Sequence, residues 1–185
     1  PSMHIDLAND PVTDELVERA RHQGICIQWG NEEEGKRKTP AHEHTVASFC
    51  HLMNTNQSNR KSVVITLGAT QSAIDDVRYV QNYSSGATGF SLADDLYRHG
   101  HDVTCVAGVT TADQPAWLPL VIRAPQPDQM LKELLALTND DIDAWVHAAA
   151  VLYYVVESPA EGKFAGQQCS LSVNLVESQK HIMAL

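Results

Sequence analysis

The sequence predicts an α/β protein built on a parallel sheet, and three observations carry that reading. From Ser62 onward, β-branched apolar runs alternate with amphipathic helical stretches at βαβ spacing. The strand SVVITL ends in the turn Leu67-Gly68-Ala69-Thr70. A serine- and glycine-rich loop, Asn82 to Gly89, runs directly into a helix. In such sheets ligands bind at the carboxyl ends of the strands.

Taken in order, ELVERARHQG reads as a helix stopped by Gly24 and GICIQWG as a short strand. NEEEGKRKTPAHEH is charged and turn-like, HTVASFCHLM has helical spacing, and NTNQSNRK is a polar linker. Then come the strand SVVITLGAT, the helix FSLADDLYRHG ending at Gly100, and the strands HDVTCVAGVT and LPLVIRAP. DQMLKELLALTND reads as a helix, and DIDAWVHAAAVLYYVV as one buried strand. CSLSVNLVE alternates as a strand does, and SQKHIMAL opens a last helix.

Composition narrows the function classes. Thirteen Lys and Arg against 23 Asp and Glu give a formal net charge of −10, which speaks against a nucleic-acid surface. No apolar run has the length of a membrane span and no signal peptide opens the chain, so a cytoplasmic protein is expected. Cys26, Cys50, Cys105 and Cys169 form no CxxC pair and read as reduced thiols, with Cys105 a small core residue.

Ser84 and Ser85 offer hydroxyls, Gly86 and Gly89 permit close backbone approach, and the first turn of the following helix favours an anion. A serine N-cap followed by a glycine turn explains the same residues without any ligand. The loop matches neither the dinucleotide GxGxxG pattern nor a Walker GK[ST].

The run VVITLGATQSAIDDVRYVQNYSSGATGFSLADDLYRHGHDVTCVAGVT closely resembles the phosphopantothenoylcysteine synthetase (phosphopantothenate–cysteine ligase) family. The pattern there is ITSGGTREPIDPVRFISNxSSGKMGxxLAExxxxRGHxVTLVSGP. HAAAVLYYVVESPAEGK resembles the same family's MAAAVADYRPxxxxxGK, and the likeness extends to Leu185. It implies a Rossmann-like parallel sheet with helices on both faces over residues 59–185, in a chain ending before the sheet is complete. It also implies an enzyme forming a C–N bond in coenzyme A biosynthesis, activating the carboxylate of phosphopantothenate with CTP or ATP and Mg2+ before cysteine displaces the nucleotide monophosphate. Arg78 and Asn82 would flank the activated carboxylate, and Lys163 would sit on a mobile flap over the phosphates. Gly68 and Thr70 would line the nucleotide site, Ser84, Ser85, Gly86 and Gly89 would bind phosphate, and Ala148, Ala149 and Ala150 would form the strand end beside the nucleotide. The sequence departs from the pattern at Ala69 (Gly in the family), Ala87 (Lys), Tyr153 (an acid) and Val155 (Arg).

Residues 1–58 resemble the tail of the homo-oligomeric flavin-containing Cys decarboxylase family, a flavodoxin-like flavoprotein whose motif PxMNxxMWxNP appears as PSMHIDLANDP. Pro1, Met3 and His4 would belong to its substrate motif, with His4 in place of an asparagine and Ala8 in place of a tryptophan. The missing flavin-binding half would be a partner carrying FMN, in a homo-oligomer or a two-part complex. The alternatives are a divergent FMN-dependent flavoprotein subunit acting outside coenzyme A synthesis and a catalytically inactive nucleotide-binding subunit.

Other constellations read more plainly. His42, His44, Cys50 and His51 lack a recognised metal-ligand spacing and read as exposed histidines, so no metal site is expected. Trp29, Trp117 and Trp145 read as packing anchors, and Glu32–Glu34 and Asp140–Asp141 as solvated faces. His147 reads as a hydrogen-bonded core histidine, or one that reaches the nucleotide site; Tyr153 and Tyr154 either stack on a base or bury against the next helix.

Overall fold

The computed structural model describes residues 2–164 and 170–185, and divides into two compact units, Pro1–Phe49 and Cys50–Leu185. Pro1 of the decarboxylase-like motif and Cys169 lie outside the described residues.

In the first unit, β1 (Met3–His4), α1 (Ile5–Ala8) and α2 (Pro11–His22) are followed by β2 (Glu32–Glu33) and β3 (Lys36–Arg37). Asp10 caps α2 through Val12 N–H, and Pro11 occupies the first turn, where its missing donor costs nothing. The expected strand at residues 24–30 is absent. The acidic-basic stretch beside it instead forms a hairpin, because Glu34 and Gly35 both adopt positive φ and reverse the chain, pairing Glu33 with Lys36. Met3 and His4 lie on β1, paired with Arg37 and Lys36, and the His4 ring accepts from Asp6 N–H to cap α1.

Helix α3 (His42–Asn54) leads into the second unit. There the main sheet has the order β8 (Leu120–Arg123), β7 (Asp102–Ala107), β4 (Ser62–Leu67), β9 (Ala144–His147), all parallel. Two-sided burial follows from the side-chain alternation of β4. Val63, Ile65 and Leu67 pack with Phe90 and Ala93 of α4 (Ala87–Arg98), while Val64 packs with Met130 and Leu134 of α5 (Pro127–Leu137). The expected Rossmann-like sheet with helices on both faces is therefore present.

The long apolar run from Asp141 to Val156 is not one strand. It leaves the main sheet after His147, crosses a turn, and resumes as β10 (Tyr154–Val156), which pairs antiparallel with β11 (Leu175–Glu177). Two long-range hydroxyls hold that departure: Thr70 Oγ1 accepts Leu152 N–H at 2.8 Å, and Ser72 Oγ accepts Val156 N–H at 2.9 Å. The expected final helix is a single 3₁₀ turn, His181–Met183. A hairpin that the periodicity did not predict, β5 (Gln71–Ala73) with β6 (Tyr79–Gln81), projects from the end of β4.

Several single-residue readings change or sharpen. His51 is not a solvent-facing histidine: it stacks on Tyr97 with ring centroids 4.1 Å apart, and its Nδ1 lies 2.7 Å from the Tyr97 carbonyl. His147 is exposed rather than a core histidine, and Tyr153 and Tyr154 are exposed rather than buried under a helix. Trp117 is an anchor, donating to Asp94 at 2.6 Å beneath the Arg98 guanidinium. Cys105 is fully buried, and that burial pushes its thiol up to about 11, as suits an inert core residue. Among the described residues no cluster of three or more His, Cys, Asp or Glu side chains could hold a metal, and no helix is long and apolar enough to cross a membrane.

Candidate functional site at the carboxyl edge of the sheet

Strand order reverses at β4: β7 and β8 extend the sheet on one side, and β9 is added on the other, all running parallel. This arrangement opens a crevice at the carboxyl ends of β4 and β9. Two groups of residues singled out in the sequence lie at that edge, and a third group centres on the β5–β6 hairpin.

The first group centres on the Ala150 carbonyl. It accepts the Asn82 side-chain amide at 3.1 Å and Thr70 N–H at 3.1 Å, while Ala150 N–H donates to the Gly68 carbonyl at 2.8 Å. The Asn82 loop, the β4 turn and the Ala148–Ala150 strand end are thus joined directly. Thr70 is wholly buried, so it holds this junction together rather than lining an accessible surface. Ala148 is exposed, and Ala149 and Ala150 are half-buried.

The second group is the Ser84–Gly89 loop. Gly86 adopts φ +80° at the start of α4, and a Cβ there would meet Thr110 Cγ2 at 2.7 Å. A Cβ on Gly89 would meet Leu67 Cβ at 2.3 Å. Both glycines are buried, so what they admit is the neighbouring protein: they let the helix start sit on the end of β4. Ser85 Oγ accepts Ala87 N–H at 3.3 Å, and the Ser85 carbonyl accepts Thr111 and Ala112 N–H. Gly68, at φ +76°, packs against the same turn through the Val109 carbonyl.

The third group was not found from sequence. The Asp75 carboxylate, buried at the tip of the β5–β6 hairpin, accepts Val77 N–H at 2.8 Å, Arg78 N–H at 2.7 Å and Phe164 N–H at 3.1 Å, and forms an ion pair with the Arg78 guanidinium. Burial alone would raise its pKa. The three backbone donors and then Arg78 outweigh that and hold it at about 2. Asp76 acts beside it, its carboxylate accepting Gly162 N–H at 3.1 Å and its own N–H donating to the Gly162 carbonyl at 3.2 Å. Gly162 and Phe164 are therefore pinned, and Lys163 between them projects into solvent next to Arg78's anchor. An aspartate opening a turn, in IDDVR, was the available local signal; that it reaches Phe164, 89 residues on, was not visible.

A cavity of about 230 Å³ lies at the ends of β4 and β9, lined among others by Thr66, His147, Tyr153, Lys180 and His181. The Lys180 ammonium sits 5.8 Å from the Tyr153 ring centroid. His181 is 6 % exposed; burial lowers its pKa from the ordinary 6.5, and a hydrogen bond to the Pro127 backbone opposes that shift. A lone histidine in an expected helix carried no signal in the sequence.

For Mg2+, Asp75 is a poor ligand because N–H donors and Arg78 already occupy its oxygens, whereas Asp76 is exposed.

Residues 58–185 match the family described as the DNA/pantothenate metabolism flavoprotein C-terminal domain. The coenzyme A biosynthesis bifunctional protein CoaBC of Thermococcus kodakarensis is 29% identical over 169 residues, 91% of this chain and 41% of that protein. The protein of the same name in Escherichia coli K12 is 30% identical over 137 residues, 71% of this chain and 32% of that protein. The chain thus spans less than half the length of these relatives. The crystal structure of the C-terminal domain of a coenzyme A biosynthesis bifunctional protein CoaBC superposes with a TM-score of 0.58 at 23% identity, covering 71% of this chain and 59% of that one. The DNA/pantothenate metabolism flavoprotein of Streptococcus pneumoniae gives 0.57 at 19% identity, covering 65% and 61%, so both support the fold. With a family match across residues 58–185, the chain belongs to the family of the DNA/pantothenate metabolism flavoprotein C-terminal domain.

Proposed function

We propose that the chain serves coenzyme A biosynthesis as a phosphopantothenate–cysteine ligase, using CTP or ATP with Mg2+. The observation that supports this most is the direct bonding of the Asn82 loop, the Ala148–Ala150 strand end and the β4 turn at one carbonyl, that of Ala150. In this reading a carboxylate oxygen attacks the nucleotide's α-phosphorus and pyrophosphate leaves. The amine of cysteine then displaces the nucleotide monophosphate and forms the amide. Asn82 and Arg78 orient the acyl-nucleotide, and Lys163, held outward by its pinned neighbours, balances phosphate charge. Ser84 and Ser85 sit at the α4 N-terminus where a phosphate would be met. The cavity between β4, Tyr153 and His181 receives the nucleotide's heterocycle.

The curated relatives are named bifunctional, and this chain spans less than half of them. Residues 1–58 then stand as the tail of a flavin-dependent decarboxylase-like domain, Met3 and His4 belonging to its substrate motif, with an FMN-bearing half as partner in a homo-oligomer or complex. Pyrophosphate release that requires both phosphopantothenate and CTP or ATP tests the ligase reading. No release with either nucleotide, in the presence of the flavin-binding half, overturns it.

Tyr153, 62 % exposed where the family pattern has an acid, favours a second reading in which the site binds nucleotide without turning it over. Calorimetry showing nucleotide binding with no pyrophosphate release would select it.

A further inference from the structure

An arginine near the carboxyl edge of a sheet either spends its charge on a carboxylate of the protein or keeps it for a ligand. Three of the second unit's four arginines do the former: Arg60 pairs with Asp102, Arg78 with Asp75 and Arg98 with Asp94. Arg123 is exposed at the end of β8, and among the described residues no carboxylate pairs with it. Its guanidinium is held by two neutral acceptors instead, donating to Thr110 Oγ1 at 3.1 Å and to Gln114 Oε1 at 2.6 Å. These bonds fix the direction of the group without cancelling its charge, in a chain whose formal net charge is −10.

The fold directs that charge toward the start of α4. Val121 of β8 packs against the core beneath α4 and Ile122 against the core beneath α5, so side-chain alternation puts Arg123 on the α4 face. Its register partner is Ala107, the last residue of β7, which places it at the carboxyl edge. Thr110 joins the two places: its hydroxyl accepts from Arg123, and its Cγ2 is the atom that a Cβ on Gly86 would meet at 2.7 Å. Next to it, Thr111 and Ala112 N–H each donate to the Ser85 carbonyl at 3.1 Å. The run from Ser84 to Gly89 has no basic side chain of its own. A helix start offers about half an elementary charge, whereas a phosphate group carries roughly −1.5 to −2.

We propose that Arg123 is a phosphate-binding residue of this site, supplying to the nucleotide's triphosphate the cationic contact that the Ser84–Gly89 loop lacks. The inference rests on the reading that a phosphate is met at the α4 N-terminus. Two of the guanidinium's N–H groups are engaged, and the others remain for phosphate oxygens. Its planar fork matches two oxygens of one phosphoryl group. Ser84 and Ser85 cannot take over this role, because a hydroxyl donates a hydrogen bond but brings no charge.

Titration of the full chain with CTP and with ATP, each with Mg2+, tests this in the wild type, in Arg123→Gln and in the double variant Arg123→Gln/Ala87→Lys. Ala87 is the exposed first residue of α4, so a basic side chain placed there meets the same anion from the helix itself. Arg123→Gln is expected to weaken triphosphate binding about tenfold or more, the scale of one hydrogen bond to a charged group. Its melting temperature should match the wild type, because the side chain is exposed. The Ala87→Lys change is expected to recover most of the lost affinity. In the wild type the Arg123 guanidinium ¹⁵N resonances shift on adding the triphosphate, a readout that needs no variant. Binding by Arg123→Gln within about twofold of wild type, a loss that Ala87→Lys leaves unrepaired, or guanidinium resonances that do not move overturns the proposal alone. Failure of the wild type to bind either triphosphate overturns the phosphate reading on which it rests.

Discussion

The Asp75 carboxylate accepts the Phe164 backbone N–H at 3.1 Å while paired to Arg78, so one buried acid joins the β5–β6 hairpin to the segment that carries Lys163. Asp75→Asn keeps the shape but removes the charge and one acceptor oxygen. The Gly162–Phe164 segment is expected to detach, with faster proteolysis near Glu161–Phe164 and ligase turnover lowered roughly tenfold or more, as for loss of a charge-assisted hydrogen bond. Turnover and cleavage rates equal to wild type would show that the anchor does not position Lys163.

The same carboxylate predicts an acid limb. Its folded pKa, about 2, lies below the ordinary 3.8, so its contribution to stability is complete above 3.8 and is lost as the pH falls from there through about 2. Melting temperatures of wild type and Asp75→Asn should differ by a constant amount above about pH 5 and converge toward pH 2. A gap that stays constant down to pH 2 would contradict the assigned ionisation.

Gly89→Ala sets two effects against each other. Replacing a helical glycine by alanine ordinarily stabilises by about 1 kcal/mol. Here the new Cβ would meet Leu67 Cβ at 2.3 Å, an atom tied to a central strand that cannot rotate away. Overpacking should win, with a net loss of about 1–3 kcal/mol in urea unfolding.

Asn82→Ala separates chemistry from folding. The Ala150 carbonyl keeps its bond from Thr70 N–H, so unfolding free energy should change by less than about 1 kcal/mol. Phosphopantothenate-dependent pyrophosphate release should fall about a hundredfold, the scale of losing an oriented donor at the reacting centre. A large stability loss with proportionate activity would make Asn82 a structural residue only.

Local chemistry in the sequence determined much of this protein. The β-branched alternation of Ser62–Leu67 placed a two-sided central strand, and the amphipathic stretches after Ala87 and Pro127 supplied its covering helices. The Asn82–Gly89 loop was legible because its residues are contiguous and its helix follows at once. What escaped depends on groups far apart in the chain. An apolar run from Ala144 to Val156 does not show where it leaves a sheet; Thr70 and Ser72 decide that by capturing Leu152 and Val156 N–H. The packing need of the loop glycines was hidden until Leu67 and Thr110 came to lie beside them. Asp75's hold on Phe164 and the burial of His181 exist only once separate segments meet. Periodicity records which face of an element is apolar, whereas buried polar groups find their partners through tertiary structure alone.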